Sequence, residues 1–188
     1  RLGKTRLADR QLPNEVRYYD SGCGPSVFAA DLDQSVAKPY GAWYLEAMDA
    51  HGGWLASAVD LARFAAAWDQ PDECPVLRKE TIQEMYARPH GLAGHTEDGQ
   101  PKSVYYSLGW MNRSLGGDDR QNHWHTGSLP GTAAILIRRH DGRNFVALLN
   151  KRQSPQARRL TAAIDPLLHR AANDVAEWPE GDPFDDFP

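Results

Sequence analysis

The residues best suited to chemistry in this chain of 188 residues stand together as His125-Thr126-Gly127-Ser128-Leu129-Pro130-Gly131. On a strand, a ring that can donate a hydrogen bond or carry charge, followed by a hydroxyl, can hold a carboxylate. A glycine next to them lets a bound backbone lie close. His123 and His125 are two apart, so on a strand they share a face and could meet a metal with His90 or His95. No carboxylate or cysteine completes a recognisable ligand spacing there, and His123 reads as a strand residue beside Trp124. Cys23 and Cys74 form no Cys-x-x-Cys pair and can bond to each other or stay free. Asn112-Arg113-Ser114 fits a glycosylation sequon, which without a sign of secretion reads as an ordinary strand segment.

The elements that position these residues follow from periodicity. Arg1 to Gly53 has scattered Gly, Pro and Asp, and reads as loops with one or two short strands. Ser57-Ala58-Val59-Asp60 then has the spacing of a capping box, and Leu61, Phe64, Ala65 and Trp68 follow as a helical stripe. A second helix is predicted over Lys79 to Ala87, with Ile82, Met85 and Tyr86 inward and Pro89 as its stop. Gly91 to Pro101 is a polar loop.

From Ser103 the period changes to two, with Val104, Tyr106, Leu108 and Trp110 on one face of a predicted strand. Gly116-Gly117-Asp118-Asp119 turns the chain back, and further strands are expected over Asn122 to Gly127, Thr132 to Ile137 and Phe145 to Leu149. The short loops imply an antiparallel meander, and the last two strands are apolar on both faces, so each needs cover on both sides. A C-terminal helix capped at Ser154-Pro155 supplies some of it, through Leu160, Ile164, Leu167, Ala171 and Val175. Asp165-Pro166 should kink or restart that helix. The fold class is therefore α+β, an antiparallel sheet covered by helices. One domain is expected over residues 1–178, with an acidic, Pro-rich tail over residues 179–188.

Composition bounds the partners. The chain is 41% apolar and 24% charged with a net charge of −4, which excludes wholesale disorder and leaves no basic footprint for nucleic acid. No apolar run is long enough to span a bilayer. The chain begins Arg1-Leu2-Gly3, without an initiator Met or a signal-type segment, and is expected to be a piece of a longer protein.

The His125-Thr126-Gly127 segment resembles the Lys/His-Thr-Gly motif of the penicillin-recognising serine hydrolases, which include serine β-lactamases, penicillin-binding D-alanyl-D-alanine carboxypeptidases and related esterases. Upstream, Gly52-Gly53-Trp54 and Ser57-Ala58-Val59-Asp60-Leu61-Ala62-Arg63-Phe64 are similar to the Gly-Gly…Ser-x-x-Asp-Leu-Ala-Arg-Phe segment of that superfamily. Tyr106-Ser107-Leu108-Gly109-Trp110 is similar to its Tyr-x-Leu-Gly-Trp strand, and Glu15-Val16-Arg17-Tyr18-Tyr19 adds weaker support. The ordered set, from about Gly52 to Asn150, is far more specific than one tripeptide.

The resemblance implies the C-terminal part of that fold and an acyl-transfer chemistry needing no cofactor. His125 and Thr126 would bind a substrate carboxylate, Gly127 would give room for the scissile group, and the Ser128 backbone N–H would be an oxyanion-hole donor. One such donor is worth about 3 to 4 kcal/mol in comparable enzymes. His125 in place of the more usual Lys implies a hydrogen-bond donor with pH-sensitive charge. Relatives usually reside in the cell envelope, periplasm or outside the cell; the sequence alone leaves the compartment open.

The same resemblance calls for a nucleophilic Ser three residues before a Lys at a helix start, and for a Tyr-x-Asn or Ser-x-Asn loop. Neither loop motif occurs, and the one Ser-x-x-Lys, Ser35-Val36-Ala37-Lys38, runs straight into Pro39, which disfavours helix at Lys38. The expectation is a chain that supplies the His-Thr-Gly strand but not the nucleophile, is inactive alone, and has as partners a peptide or small molecule bearing a carboxylate and the missing N-terminal portion of the same protein. The alternatives are a non-catalytic domain of that fold that binds peptide or peptidoglycan-like ligands, and a structural half that works with a partner chain.

Overall fold

The computed structural model describes residues 3–116, 120–156, 158–181 and 184. Its elements in chain order are β1 (Cys23–Pro25), β2 (Ser35–Ala37), α1 (Ala58–Ala66), α2 (Lys79–Tyr86), β3 (Val104–Tyr106), β4 (Met111–Ser114), β5 (Gln121–Leu129), β6 (Thr132–Arg138), β7 (Asn144–Leu149) and α3 (Leu160–Asp174), with short 3-10 turns between some of them. The class is α+β, as the periodicities require. Strands β3 to β7 form one sheet whose spatial order is their sequence order, the meander that short loops impose. The Leu115 N–H donates to the Arg120 carbonyl at 2.8 Å; of the turn expected at Gly116 to Asp119, Gly117, Asp118 and Asp119 lie outside the described residues.

One element departs from its expected form in a way that shapes the site. The alternating stretch from Val104 to Trp110 is not one strand but β3, a tight turn and β4, paired antiparallel with Tyr106 opposite Met111. Ser107 donates its N–H to the Trp110 carbonyl at 2.8 Å, and Gly109 turns the chain at φ 85°, a backbone conformation that costs glycine nothing. The faces change as a result. Tyr105 is buried, whereas Tyr106 is 49% and Leu108 68% exposed, and Trp110 is buried on the return.

Two compact units divide the chain, one of Arg1–Ser57, Gly127–Ala134 and Leu148–Trp178, the other of Ala58–Thr126, Ile135–Ala147 and Pro179–Pro188. In the second unit Trp68, Ile82 and Trp110 form a buried cluster with Leu77, Met85, Tyr86 and Leu136 against it. Burying each such side chain contributes about 1.5 to 3 kcal/mol. Phe64, expected to point inward, is half exposed and stands edge-on to Trp68 instead. Strand β6 buries Ala133, Ile135 and Ile137 on one face and packs Leu136 into the tryptophan cluster from the other, so it is covered on both sides. Of the tail, Phe184 lies under the Arg63 guanidinium, 5.5 Å from its ring centroid; residues 182–183 and 185–188 lie outside the described residues. No helix among the described residues is long and apolar enough to cross a membrane.

In the first unit β1 and β2 form a hairpin with Pro25 opposite Ser35, and Tyr19 bridges Lys151 with its N–H on the Asn150 carbonyl at 3.0 Å. Helix α3 starts only at Leu160, beyond the expected Ser154-Pro155 cap, and continues through Pro166 without a restart. Its inward face is also shifted by one position. Thr161 and Ala172 are buried, while Leu167 and Val175 are exposed, because the adjacent Leu167 and Leu168 let two helical registers fit the pattern equally well. Cys23 and Cys74 are free thiols.

Candidate functional site

Strand β5 changes character along its length. Gln121 and Asn122 are buried, His123 and Trp124 are half-buried, and His125, Thr126, Gly127 and Ser128 are all exposed. The change has a simple cause. The β4 ladder begins at Met111, which pairs with Trp124, so β5 runs on past β4 from His125 onward. The strand segment carrying the ring, hydroxyl and glycine is thus open on the β4 side, with its side chains accessible. An open strand edge of this kind offers main-chain donors and acceptors to an extended ligand.

Tyr106 closes β3 beside this segment, and its hydroxyl lies 3.2 Å from His125 Nε2. The turn that follows Tyr106 is fastened from below by Asn112, which is 0% exposed. Its amide donates to Ser107 Oγ at 2.8 Å and to the Trp110 carbonyl at 3.0 Å, and its Oδ1 lies 2.7 Å from His123 Nδ1. With the Asn112 amide group committed as donor, His123 must donate from Nδ1. The His123 ring also stacks on Tyr86 at 3.8 Å, and Tyr86 accepts a hydrogen bond from Arg138 at 2.7 Å. Burial, assisted by the nearby Arg138 charge, pushes the His123 imidazole down to about 4. His123 is therefore a neutral structural residue. Among the described residues no cluster of three or more His, Cys, Asp or Glu side chains is placed to hold a metal.

Two glycines near the end of β5 are needed for different reasons. Gly131, in the β5–β6 turn, has φ 76°, and a Cβ there would sit 2.7 Å from Pro39 and Tyr18 atoms; its N–H donates to Asp20 Oδ2 at 3.2 Å. The fold itself requires that glycine. Gly127 has ordinary extended backbone, and a Cβ would meet only the Ala134 methyl at 3.6 Å, a normal contact. Neither strain nor packing calls for a glycine at 127, and the backbone there is exposed. Gly127→Ala is expected to change unfolding free energy by less than about 1 kcal/mol, checked by urea melts.

Asp20, which sequence reasoning passed over, anchors the turn after Ser128. Its carboxylate accepts the Gly22 N–H at 2.9 Å and the Gly131 N–H, and Arg152 Nε approaches Oδ2 at 3.0 Å as an ion pair not aligned for a hydrogen bond. Burial works to raise this carboxyl, but the two N–H groups, Arg152 and Lys38 outweigh it and hold it below the usual range. Only a long-range contact marks Asp20 out; the Tyr18-Tyr19 pair just before it was the nearest local signal.

Ser35 and Lys38 sit at the end of the β1–β2 hairpin, with Lys38 donating its N–H to the Gly22 carbonyl at 2.9 Å. Residues three apart on an extended chain point to opposite faces, whereas on a helix they would be neighbours. The hairpin setting gives this Ser no lysine base on its own face.

The antiparallel meander thus carries, at the open end of β5, a run of four exposed residues from His125 to Ser128. The chain matches the Beta-lactamase family model over residues 4–169. It belongs to that family, within the penicillin-recognising serine hydrolase superfamily. A search of curated proteins finds no match to it.

Proposed function

We propose that this chain supplies the substrate-binding strand of a β-lactamase-family serine hydrolase, one that cleaves an amide, peptide, lactam or ester through an acyl-enzyme. In this reading His125 and Thr126 receive the substrate carboxylate, Gly127 makes room for the scissile group, and the Ser128 N–H is one donor of the oxyanion hole. The observation that carries it is the run of four exposed residues on a strand edge that extends past its neighbour. His125 and Thr126 offer side-chain donors to an anion, and backbone donors fixed in a sheet stabilise a developing oxyanion without reorganising.

The nucleophile is not among these 188 residues. The sequence has one Ser-x-x-Lys and no Tyr-x-Asn or Ser-x-Asn, and that Ser35 stands on a hairpin strand. Incubation of this chain with benzylpenicillin or a fluorophosphonate should leave its intact mass unchanged; an adduct mapped to Ser35 would overturn the assignment. A carboxylate-binding domain without turnover is the second reading, favoured by the same placement of Ser35. It loses its support if a longer form of the protein becomes acylated at a helical Ser-x-x-Lys.

A further inference from the structure

We infer that Tyr106 is a positioning residue for His125: its phenol donates to Nε2 and holds the neutral imidazole in the tautomer that keeps its proton on Nδ1. This rests on the reading of His125 as a carboxylate-binding residue, and it says how a neutral ring can do that work. A neutral imidazole has one donor and one acceptor nitrogen, and a carboxylate accepts only. The ring must therefore turn an N–H outward. Nε2 is the nitrogen within 3.2 Å of the Tyr106 hydroxyl, with ring centroids 6.1 Å apart at 58°. If Tyr106 donates there, the proton has to reside on Nδ1, which leaves an N–H on an exposed side chain free to meet an anion.

The phenol can hold the ring because it is itself held. Tyr106 is the last residue of β3, paired with Met111, and the turn after it is closed by the Ser107 N–H on the Trp110 carbonyl. The fully buried Asn112 ties both Ser107 Oγ and that carbonyl from beneath. Tyr106 itself is half exposed, so its own burial does not explain the position; the fastened turn does. Without a partner the side-chain imidazole favours the other tautomer, with its proton on Nε2, which would present a lone pair from Nδ1 to the incoming carboxylate and repel it.

Long-range 1H–15N spectra of the imidazole ring in the whole chain, recorded where His125 is neutral, distinguish the two tautomers directly. The wild type should show the Nδ1–H form in excess. Tyr106→Phe, at a half-exposed position that keeps the ring, should shift the ratio toward Nε2–H by about five-fold, the size of one ordinary hydrogen bond. A wild type dominated by Nε2–H, or an unchanged ratio in Tyr106→Phe, overturns the inference. N-acetylalanine added to the wild type separates this from the underlying reading. If the Thr126, Gly127 and Ser128 amides fail to respond, the carboxylate site is wrong whatever the tautomer. If they respond and Tyr106→Phe binds equally well, the tautomer role is wrong and the site stands.

Discussion

Asp20→Ala should lower the unfolding free energy by about 3 kcal/mol, the scale for removing one member of a buried ion pair. The side chain is 4% exposed and serves two backbone N–H groups as well as Arg152. Its loss leaves the Gly131 N–H unsatisfied and Arg152 without its anion, each a cost beyond the contacts themselves. Asp20→Asn keeps an acceptor in place and should lose less. Urea denaturation followed by far-ultraviolet circular dichroism measures both. A loss below about 1 kcal/mol for the alanine variant would mean that the turn after Ser128 is held by something other than this carboxylate.

The second large effect is a loss of stability in mild acid that traces to His123. Its folded value, about 4, lies below the ordinary 6.5, so the unfolded chain takes up this proton first as the pH falls. The contribution is complete above about pH 6.5, declines between 6.5 and 4, and levels off once both states are protonated. Burial is the larger cause of the shift and the Arg138 charge the smaller. The interval amounts to about 3 kcal/mol. The carboxyls of Asp20, Glu46 and Asp141 are held low, so their contributions are lost as the pH falls through the ordinary carboxylate range and on below it, a more acid window than that of His123. Unfolding free energies of wild type and His123→Gln, compared at pH 7, 6, 5 and 4.5, should diverge least at the acid end, where the wild type has lost its advantage. Parallel pH profiles for the two proteins would contradict a neutral, buried His123.

Much of this was legible in the residues because it was local. The period change near Ser103, the glycine turns and the His125-Thr126-Gly127 run each depend on neighbours in sequence, and each appears where the pattern puts it. Failures arose where a local pattern fits two structures. Alternation from Val104 to Trp110 fits one strand as well as a hairpin, and only the Ser107 to Trp110 hydrogen bond and Gly109 decide it. Leu167 and Leu168 likewise permit two faces for α3. The site's supports were invisible for a different reason. Asp20 is joined to Gly131, and Asn112 to His123, by contacts that depend on the folded chain, and no spacing rule connects them. Tyr106 was visible as an aromatic in an alternating stretch, but its exposed hydroxyl beside His125 required the turn to be known.

Under the proposed function, the exposed end of β5 binds a carboxylate. The most direct measurement of that binding is an amide-resolved NMR titration of the whole chain with N-acetylalanine. Shifts concentrated at His125, Thr126, Gly127 and Ser128 are expected to saturate in the wild type and to shrink in Gly127→Ala without loss of fold. Shifts confined to other parts of the chain, or none at these four residues, would contradict it.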